Sequence, residues 1–130
     1  MNAVVYARRP PLDREALQNL FEEAWGHRKC DFEPVLERSF TWVAAFSTAR
    51  FLVGFVNVAW DGGVHFFMLD TTVHPDWQRR GVGRAIVLDA IEACRGHGEW
   101  MHVDSDAALM HNFYDVCGFG PTPAGLVWLG

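Results

Sequence analysis

Apolar residues recur at intervals of three and four in several parts of the chain, which is the spacing of one face of an α-helix. Between residues 14 and 25 these positions are Leu17, Leu20, Phe21 and Ala24. Asp13 can cap this helix at its start, and Gly26 can end it. The same spacing predicts further helices over residues 33–40, 82–95 and 106–117.

Extended segments lie between these helices, rich in β-branched and aromatic residues and bounded by Pro, Gly and Asp. Asp61-Gly62-Gly63 is typical of a hairpin turn, and Gly54 indicates a bulge or a close approach of two backbones. The predicted strands cover residues 3–8, 41–46, 50–60, 64–73, 99–104, 119–122 and 125–129.

Several hairpin strands followed by a β-α-β unit predict a mixed sheet with helices on its faces, an α/β arrangement of the α+β type. The 130 residues fit one domain, residues 1–130. No apolar run has the length of a membrane span, and the N-terminal residues lack the pattern of a signal peptide. We therefore expect a cytoplasmic protein in which Cys30, Cys94 and Cys117 are reduced.

Composition and charge limit the partners. Half of the residues are hydrophobic and 21% are charged, which is the balance of a folded protein rather than a disordered one. The net charge of −5 argues against nucleic acid, because phosphate binding needs a basic face. We expect neither a nucleic acid nor a membrane partner. The acidic balance suits a cationic substrate, although it is also ordinary for a solvated surface.

The segment that indicates a specific chemistry is residues 78–84, with the sequence QRRGVGR, between an apolar strand and a helix. Backbone N–H groups in the first turn of a helix have no partner within the helix, and the helix dipole makes this end positive. Glycines let an anion approach that backbone closely, so the segment is a candidate phosphate site. The alternative is a tight turn with solvated arginines. The segment fits neither a P-loop nor a dinucleotide fingerprint.

Two segments have a recognisable order of residue types. Residues 69–83 (LDTTVHPDWQRRGVG) contain an apolar strand with Val-x-Pro, followed by Gln-x-x-Gly-x-Gly at the start of a helix. Residues 113–119 (FYDVCGF) contain an apolar residue, Tyr, three residues and Gly-Phe. In both segments the chain resembles the GNAT acyltransferases, which use acetyl-CoA and whose two motifs have this order. The resemblance implies a mostly antiparallel sheet of roughly six or seven strands, splayed in the middle, with about four helices on its faces.

The resemblance also assigns a donor site. The backbone of Thr71, Thr72 and Val73 is expected to pair with the pantetheine arm, and an N–H near Thr71 or Thr72 to polarise the thioester carbonyl. The backbone of the following loop is expected to hold the pyrophosphate. The expected loop residues are Gln78, Arg79, Arg80, Gly81, Val82, Gly83 and Arg84.

Tyr114 matches the family's usual general acid, which would protonate the leaving CoA sulfur; the alternative is a tyrosine of the hydrophobic core. Asp70 is the first candidate for the general base, because a carboxylate inside an apolar strand needs a partner or a function. Its alternative is a structural hydrogen bond to a neighbouring loop. Asp104 and His102 are weaker candidates.

Two further features bear on the site. Many family members have Asn seven residues before the tyrosine, where this chain has Ala107, and this difference could weaken CoA binding. Aromatic residues near the first two helices (Trp25, Phe32 and Trp42) hint at an acceptor with an apolar body. No cysteine is expected near the phosphate-binding loop, which disfavours a cysteine nucleophile, and the six histidines lack metal-ligand spacing, so no metal is expected.

The sequence therefore predicts an N-acetyltransferase that moves the acetyl group of acetyl-CoA directly to a primary amine of a small molecule or a protein. The alternative is a GNAT-fold module that binds acyl-CoA without catalysis, as a sensor or a structural subunit. A homodimer is possible, because the resemblance extends to proteins that pair through their sheet edges or last strands.

Overall fold

A computed structural model describes residues 3–27 and 31–130. Within this part of the chain one sheet holds five strands in the order β1-β2-β3-β4-β5. The first four strands pair antiparallel, and β5 runs parallel to β4. The strands are β1 (Val4–Arg8), β2 (Thr41–Ser47), β3 (Leu52–Trp60), β4 (His65–Val73) and β5 (Trp100–Val103).

Caps in the sequence set the limits of the helices. Asp13 accepts a hydrogen bond from the Glu15 N–H, and Gly26 ends the first helix with a φ of 80°. Asp106 caps the last helical segment through the Leu109 N–H at 2.7 Å. The helices are α1 (Arg14–Trp25), α2 (Phe32–Arg38) and α3 (Val82–Cys94), and the last helical segment consists of Ala107–Leu109, a π-helical turn at Met110–Tyr114 and a 3₁₀ turn at Asp115–Cys117.

Each face of the sheet has its own core. On one face, α1 and α2 cover β2 and β3, and Phe21, Phe32 and Phe55 form an aromatic group within it. On the other face, α3 and the last helical segment cover the centre of the sheet. Gly54 lies next to a bulge in β3, and a Cβ atom there would be 3.0 Å from a Val82 methyl group. This position therefore combines the two roles that the sequence allows, since α3 packs directly against the β3 backbone.

The predicted fold class is confirmed, but the strand count is lower than the sequence indicated. Residues 119–122 and 125–129 were expected to be strands, and the structure gives them no regular secondary structure. Pro121 lacks the N–H that a strand ladder needs, which disfavours a strand over residues 119–122. Residues 125–129 have no strand beside them in the described chain. The four residues of 126–129 are between 81% and 92% exposed, so this segment adds almost nothing to the core of the described chain.

No helix in the described part of the chain has the length and apolar character needed to cross a membrane.

Candidate functional site

Strands β4 and β5 separate halfway along β4. Their parallel pairing extends from His65↔Trp100 to Met68↔Val103 and then stops. Beyond Met68, no pairing between β4 and β5 is found in the described chain. A strand whose neighbour has separated from it in this way can pair with an extended ligand through its main chain. This opening lies where the sequence predicts the pantetheine arm.

A bulge distorts β4 at this opening. Phe55 faces Thr72 and Asn57 faces Leu69, so Asp70 and Thr71 together oppose the single residue Val56. Two residues against one is the definition of a β-bulge. Asp70 takes a φ of 59°, a left-handed conformation that is uncommon outside glycine, although Asp and Asn adopt it more readily than other residues.

The Asp70 carboxylate faces a buried amide. Asn57 Nδ2 donates a long hydrogen bond of 3.4 Å to Asp70 Oδ2. The Asn57 side chain is completely buried, and its Oδ1 has no hydrogen-bond partner among the described residues. Asn57 was not singled out from the sequence. The available signal was a lone polar residue in the apolar run of residues 51–60.

Tyr114 reaches β4 from the last helical segment. Its ring packs edge-on against Phe113 and Phe119, with centroid distances of 4.8 and 5.5 Å. Burial raises the pKa of the Tyr114 phenol, whereas a side-chain hydrogen bond with Thr71 lowers it by a smaller amount. The phenol is therefore protonated at neutral pH and sits on the strand where the thioester is predicted to lie. It is also a core residue, 4% exposed, as the alternative interpretation expected, and its role as a general acid stays a prediction.

Thr72 and Val73 are tied to other elements through polar contacts. Trp25 Nε1 donates to Thr72 Oγ1 at 3.0 Å, and Thr72 Oγ1 donates to the Asp70 carbonyl at 3.1 Å. Gln78 Nε2 donates to the Val73 carbonyl at 3.2 Å. The Gln78 side chain therefore braces the loop against β4, and any contact it makes to a ligand would be additional to this role.

The loop before α3 has the geometry of an anion site. Gly81 is the N-cap of α3 with a φ of 82°, and no side chain of the described residues caps the first turn. A Cβ atom on Gly81 would have no described atom within 4 Å, so the space beside this residue is open. Arg79 also has a positive φ of 62°. An uncapped helix start with open space in front of it suits the pyrophosphate of CoA.

The other loop residues differ in what they could contribute. Val82 is buried under Gly54, so its side chain cannot contact a ligand. A Cβ atom on Gly83 would lie 3.3 Å from the Phe113 ring, so this glycine serves packing. The Arg80 guanidinium lies over the Trp77 ring, 5.2 Å from its centroid. The charge of Arg84 acts on Cys117.

Cys117 corrects the expectation that no cysteine lies near the loop. Burial raises its pKa and the charge of Arg84 lowers it, while Cys117 in turn contributes to the raised pKa of Tyr114. These mutual effects place the thiol near both groups. A buried thiol with a raised pKa is a poor nucleophile. Cys117 belongs to the hydrophobic core on the α3 face of the sheet.

The remaining candidates have other roles or positions. His102 Nε2 is 2.8 Å from His65 Nδ1, in the part of β5 that still pairs with β4. Asp104 follows the end of β5. Phe32 is 3% exposed and packs in the α1–α2 core, so the predicted aromatic acceptor wall is wrong at this position.

Trp42 packs against the same core, and its Nε1 donates to the Pro10 carbonyl at 3.0 Å, so it does not form such a wall either. Trp25 is 56% exposed and adjoins β4 through Thr72. Cys30 lies outside the described residues. Within these residues there is no group of three side chains arranged to hold a metal ion.

Comparisons with known proteins agree with this geometry. The sequence model of the acetyltransferase (GNAT) family matches residues 10–119. No curated protein matches the sequence. A GNAT-family acetyltransferase from Streptococcus pneumoniae superposes with a TM-score of 0.83 at 19% identity, covering 98% of each chain.

Two further solved structures are similar in fold. A GNAT-family N-acetyltransferase from Escherichia coli, solved in complex with CoA, has a TM-score of 0.73 at 15% identity and covers 92% of this chain and 70% of its own. A glucosamine-6-phosphate N-acetyltransferase from Arabidopsis thaliana has a TM-score of 0.74 at 14% identity, covering 95% and 97%. The family match, which spans most of the chain, and the opening between β4 and β5 lead to one conclusion: the chain belongs to the GNAT acetyltransferase family.

Proposed function

We propose that this protein transfers the acetyl group of acetyl-CoA directly to a primary amine. The observation that supports this most strongly is the contact between Tyr114 and Thr71, which puts a protonated phenol on the half of β4 that β5 leaves free. The uncapped start of α3 lies at the end of the same strand and loop. Tyr114, the second half of β4 and the start of α3 therefore follow one another in the same order as the sulfur, the pantetheine arm and the pyrophosphate of CoA, which they would contact.

The residues of this chain would bind the donor mainly through the backbone. Thr71, Thr72 and Val73 would pair with the pantetheine arm, and the N–H groups from Arg79 to Arg84 would hold the pyrophosphate. Main-chain donors in fixed positions stabilise the oxyanion of the tetrahedral intermediate without reorganising. The absence of an asparagine at Ala107 removes one side-chain contact expected for the family and leaves these backbone groups in place.

The transfer needs a base and an acid. Asp70 would take a proton from the ammonium group of the acceptor, and the freed nitrogen would form a bond to the acetyl carbonyl carbon. As the carbon–sulfur bond breaks, the sulfur leaves with the electron pair and Tyr114 gives it a proton. The nitrogen loses its second proton to solvent as the intermediate collapses, and Tyr114 regains a proton from solvent. The net result is one proton on the CoA sulfur and one released. Groups positioned in this way typically contribute about 10²–10⁴ each to the rate.

Thermal unfolding with ligands, followed by an amine panel, tests this function. A ligand at 100 times its Kd stabilises a fold by about 2.7 kcal/mol, which is a shift of several degrees in a domain of this size. We expect a shift with acetyl-CoA and with CoA and none with NADH, and acetylation of at least one alkylamine in the panel. Binding of CoA without acetylation of any amine or protein lysine would favour the non-catalytic acyl-CoA module. No shift in melting temperature with acetyl-CoA or CoA at millimolar concentration would contradict both the acetyltransferase and the non-catalytic acyl-CoA-binding module.

We also propose that two copies of the chain associate through the free edge of β5. A groove of about 1400 Å³ runs along this edge, and Trp100 on β5 is 64% exposed. The apolar segment of residues 126–129 is almost fully exposed, and one copy of it would cover the groove of the other. Light scattering should give a dimer for the wild type and a monomer for Leu126→Ser/Trp128→Ser. Phe51→Ser, at another exposed apolar position, is the control, and a monomeric wild type contradicts the proposal.

The reduced thiols expected from the sequence fit a cytoplasmic location, which we propose on that basis. Cys94 and Cys117 are both buried and unbridged in the described chain. Fractionation of the producing cells would test the location, and recovery of the protein outside the cytoplasm would contradict it.

A further inference from the structure

A buried polar atom without a partner lies next to the candidate base. Asn57 is completely buried in β3, and its Oδ1 has no hydrogen-bond partner among the described residues. Native proteins satisfy most buried side-chain polar atoms, and leaving one unsatisfied is destabilising. An aliphatic side chain would avoid this penalty within an otherwise apolar strand. The presence of an amide at this position therefore needs an explanation.

The location of the amide suggests one. Its Nδ2 is 3.4 Å from Asp70 Oδ2, and Asp70 stands in a bulge with a left-handed backbone. Two unfavourable features, a strained residue and an unsatisfied amide oxygen, thus meet at one contact. Features of this kind persist where the surrounding structure enforces them, and they often occur at active sites.

We propose that Asn57 is a positioning residue that serves both protonation states of Asp70 during turnover. This inference rests on the proposed function, in which Asp70 takes a proton from the acceptor. An ionised carboxylate only accepts hydrogen bonds, whereas a protonated carboxyl group also donates one. The Asn57 N–H holds the carboxylate. After proton transfer, rotation of the amide by half a turn presents Oδ1, which accepts the new O–H.

The proton balance of this step is simple. One proton moves from the acceptor nitrogen to an Asp70 oxygen, and no covalent bond of Asn57 changes. When Asp70 releases the proton to solvent, the amide turns back and its N–H again faces the carboxylate. A fixed donor such as lysine or arginine would stabilise only the ionised state. An amide matches a partner that gains and loses a proton in every cycle.

A double-mutant cycle with Asp70→Asn gives the decisive measurement, using acetyl-CoA and the best alkylamine of the panel. We expect Asn57→Leu to lower kcat by about 10-fold to 100-fold, the loss of one hydrogen bond to a charged group, with little change in the KM of acetyl-CoA. In the Asp70→Asn background the same substitution should change kcat by less than about twofold, because residues that act through each other are not additive.

Two further variants keep the test interpretable. Val58→Ala removes a completely buried side chain from the same strand on the opposite face. It should lower the melting temperature, and its effect on kcat should be the same in the wild-type and Asp70→Asn backgrounds. If Asn57→Leu does not fold, Asn57→Ser takes its place, since serine is too short to reach Asp70. Phenylhydrazine, which is mostly neutral at pH 7, should show a smaller loss than the alkylamine.

The outcomes separate the proposals. A loss in Asn57→Leu that is equally large in both backgrounds overturns the role of Asn57 and indicates a structural amide. If Asp70→Asn has wild-type activity, Asp70 is not the base and Asn57 has no positioning role, while the acetyltransferase assignment stands. A wild-type protein that acetylates no amine refutes the proposed function itself.

Discussion

Replacing Tyr114 by phenylalanine separates a catalytic from a structural tyrosine. The substitution keeps the ring and its edge-on contacts with Phe113 and Phe119, and it removes only the hydroxyl group that meets Thr71. Loss of one hydrogen bond costs about 0.5–1.5 kcal/mol of stability. For a domain of this size, that corresponds to a fall of roughly 2–8 °C in the melting temperature.

The expected loss of activity is much larger than this change in stability can produce. A domain that retains a free energy of unfolding of several kcal/mol is almost entirely folded at 25 °C, so unfolding cannot lower the measured rate. Removal of a general acid lowers kcat by about 10²–10⁴. The assay is steady-state release of the CoA thiol at saturating acetyl-CoA, combined with a melting curve of each variant.

The pH profile gives a second test of the same residue. Burial raises the pKa of Tyr114 above the usual tyrosine value of about 10, so the fall in rate that its ionisation causes should lie at alkaline pH, and Tyr114→Phe should lack that fall. A raised folded-state pKa also means that the stability from this group is present below pH of about 10 and is lost as pH rises through the folded value. Tyr6→Phe, on strand β1, is the matched control and should keep full activity. A Tyr114→Phe variant with wild-type kcat at every pH and a lower melting temperature would refute the acid role and leave a core tyrosine.

Three further results are expected. Gly81→Ala should lower the melting temperature and weaken the stabilisation by CoA, because a left-handed backbone costs other residues about 1–2 kcal/mol. Gly81→Asn should recover part of the melting temperature and part of the CoA stabilisation. Equal effects of the alanine and asparagine variants would contradict the backbone argument. Burial raises the pKa of Cys94 to about 11, so iodoacetamide at pH 8 should label it only after unfolding, and peptide mapping that finds it labelled in the native protein would be contrary. Trp25→Phe removes the donor to Thr72 Oγ1 and should lower the melting temperature by a few degrees, whereas the almost fully exposed Trp128→Phe should not; identical melting curves would show that the Trp25 contact contributes nothing.

Local signals in the sequence account for most of the fold. The Asp caps, the helical spacing and the Asp61-Gly62-Gly63 turn each act over a few residues, so they could be recognised without the structure. The left-handed start of α3 at Gly81 belongs to the same class. The two predicted C-terminal strands are wrong because extended composition is a local property, whereas strand pairing needs a neighbouring strand and backbone N–H groups, one of which Pro121 lacks.

The parts of the site that the sequence did not reveal depend on register. Whether Asp70 faces Asn57 is decided by the bulge that shifts β4 against β3, and a shift of one residue changes which side chains meet. Cys117 could be assigned to the core from its neighbours in the sequence, but its proximity to Arg84 follows from the packing of the last helical segment on α3. Contacts between distant segments of this kind leave little trace in a single sequence.

The bulge also explains how three adjacent residues of one strand can face three different elements. Asp70 contacts Asn57 on β3, Thr71 meets Tyr114 and Thr72 meets Trp25. A glycine at position 70 would accept the φ of 59° without strain, but it would supply no carboxylate. The chain instead keeps a residue that is tolerated there only at a cost, in contact with an amide whose oxygen is unsatisfied. Because neither feature stabilises the fold, a function for the carboxylate is the economical reason for both, and a proton acceptor is the function that its position on β4 allows.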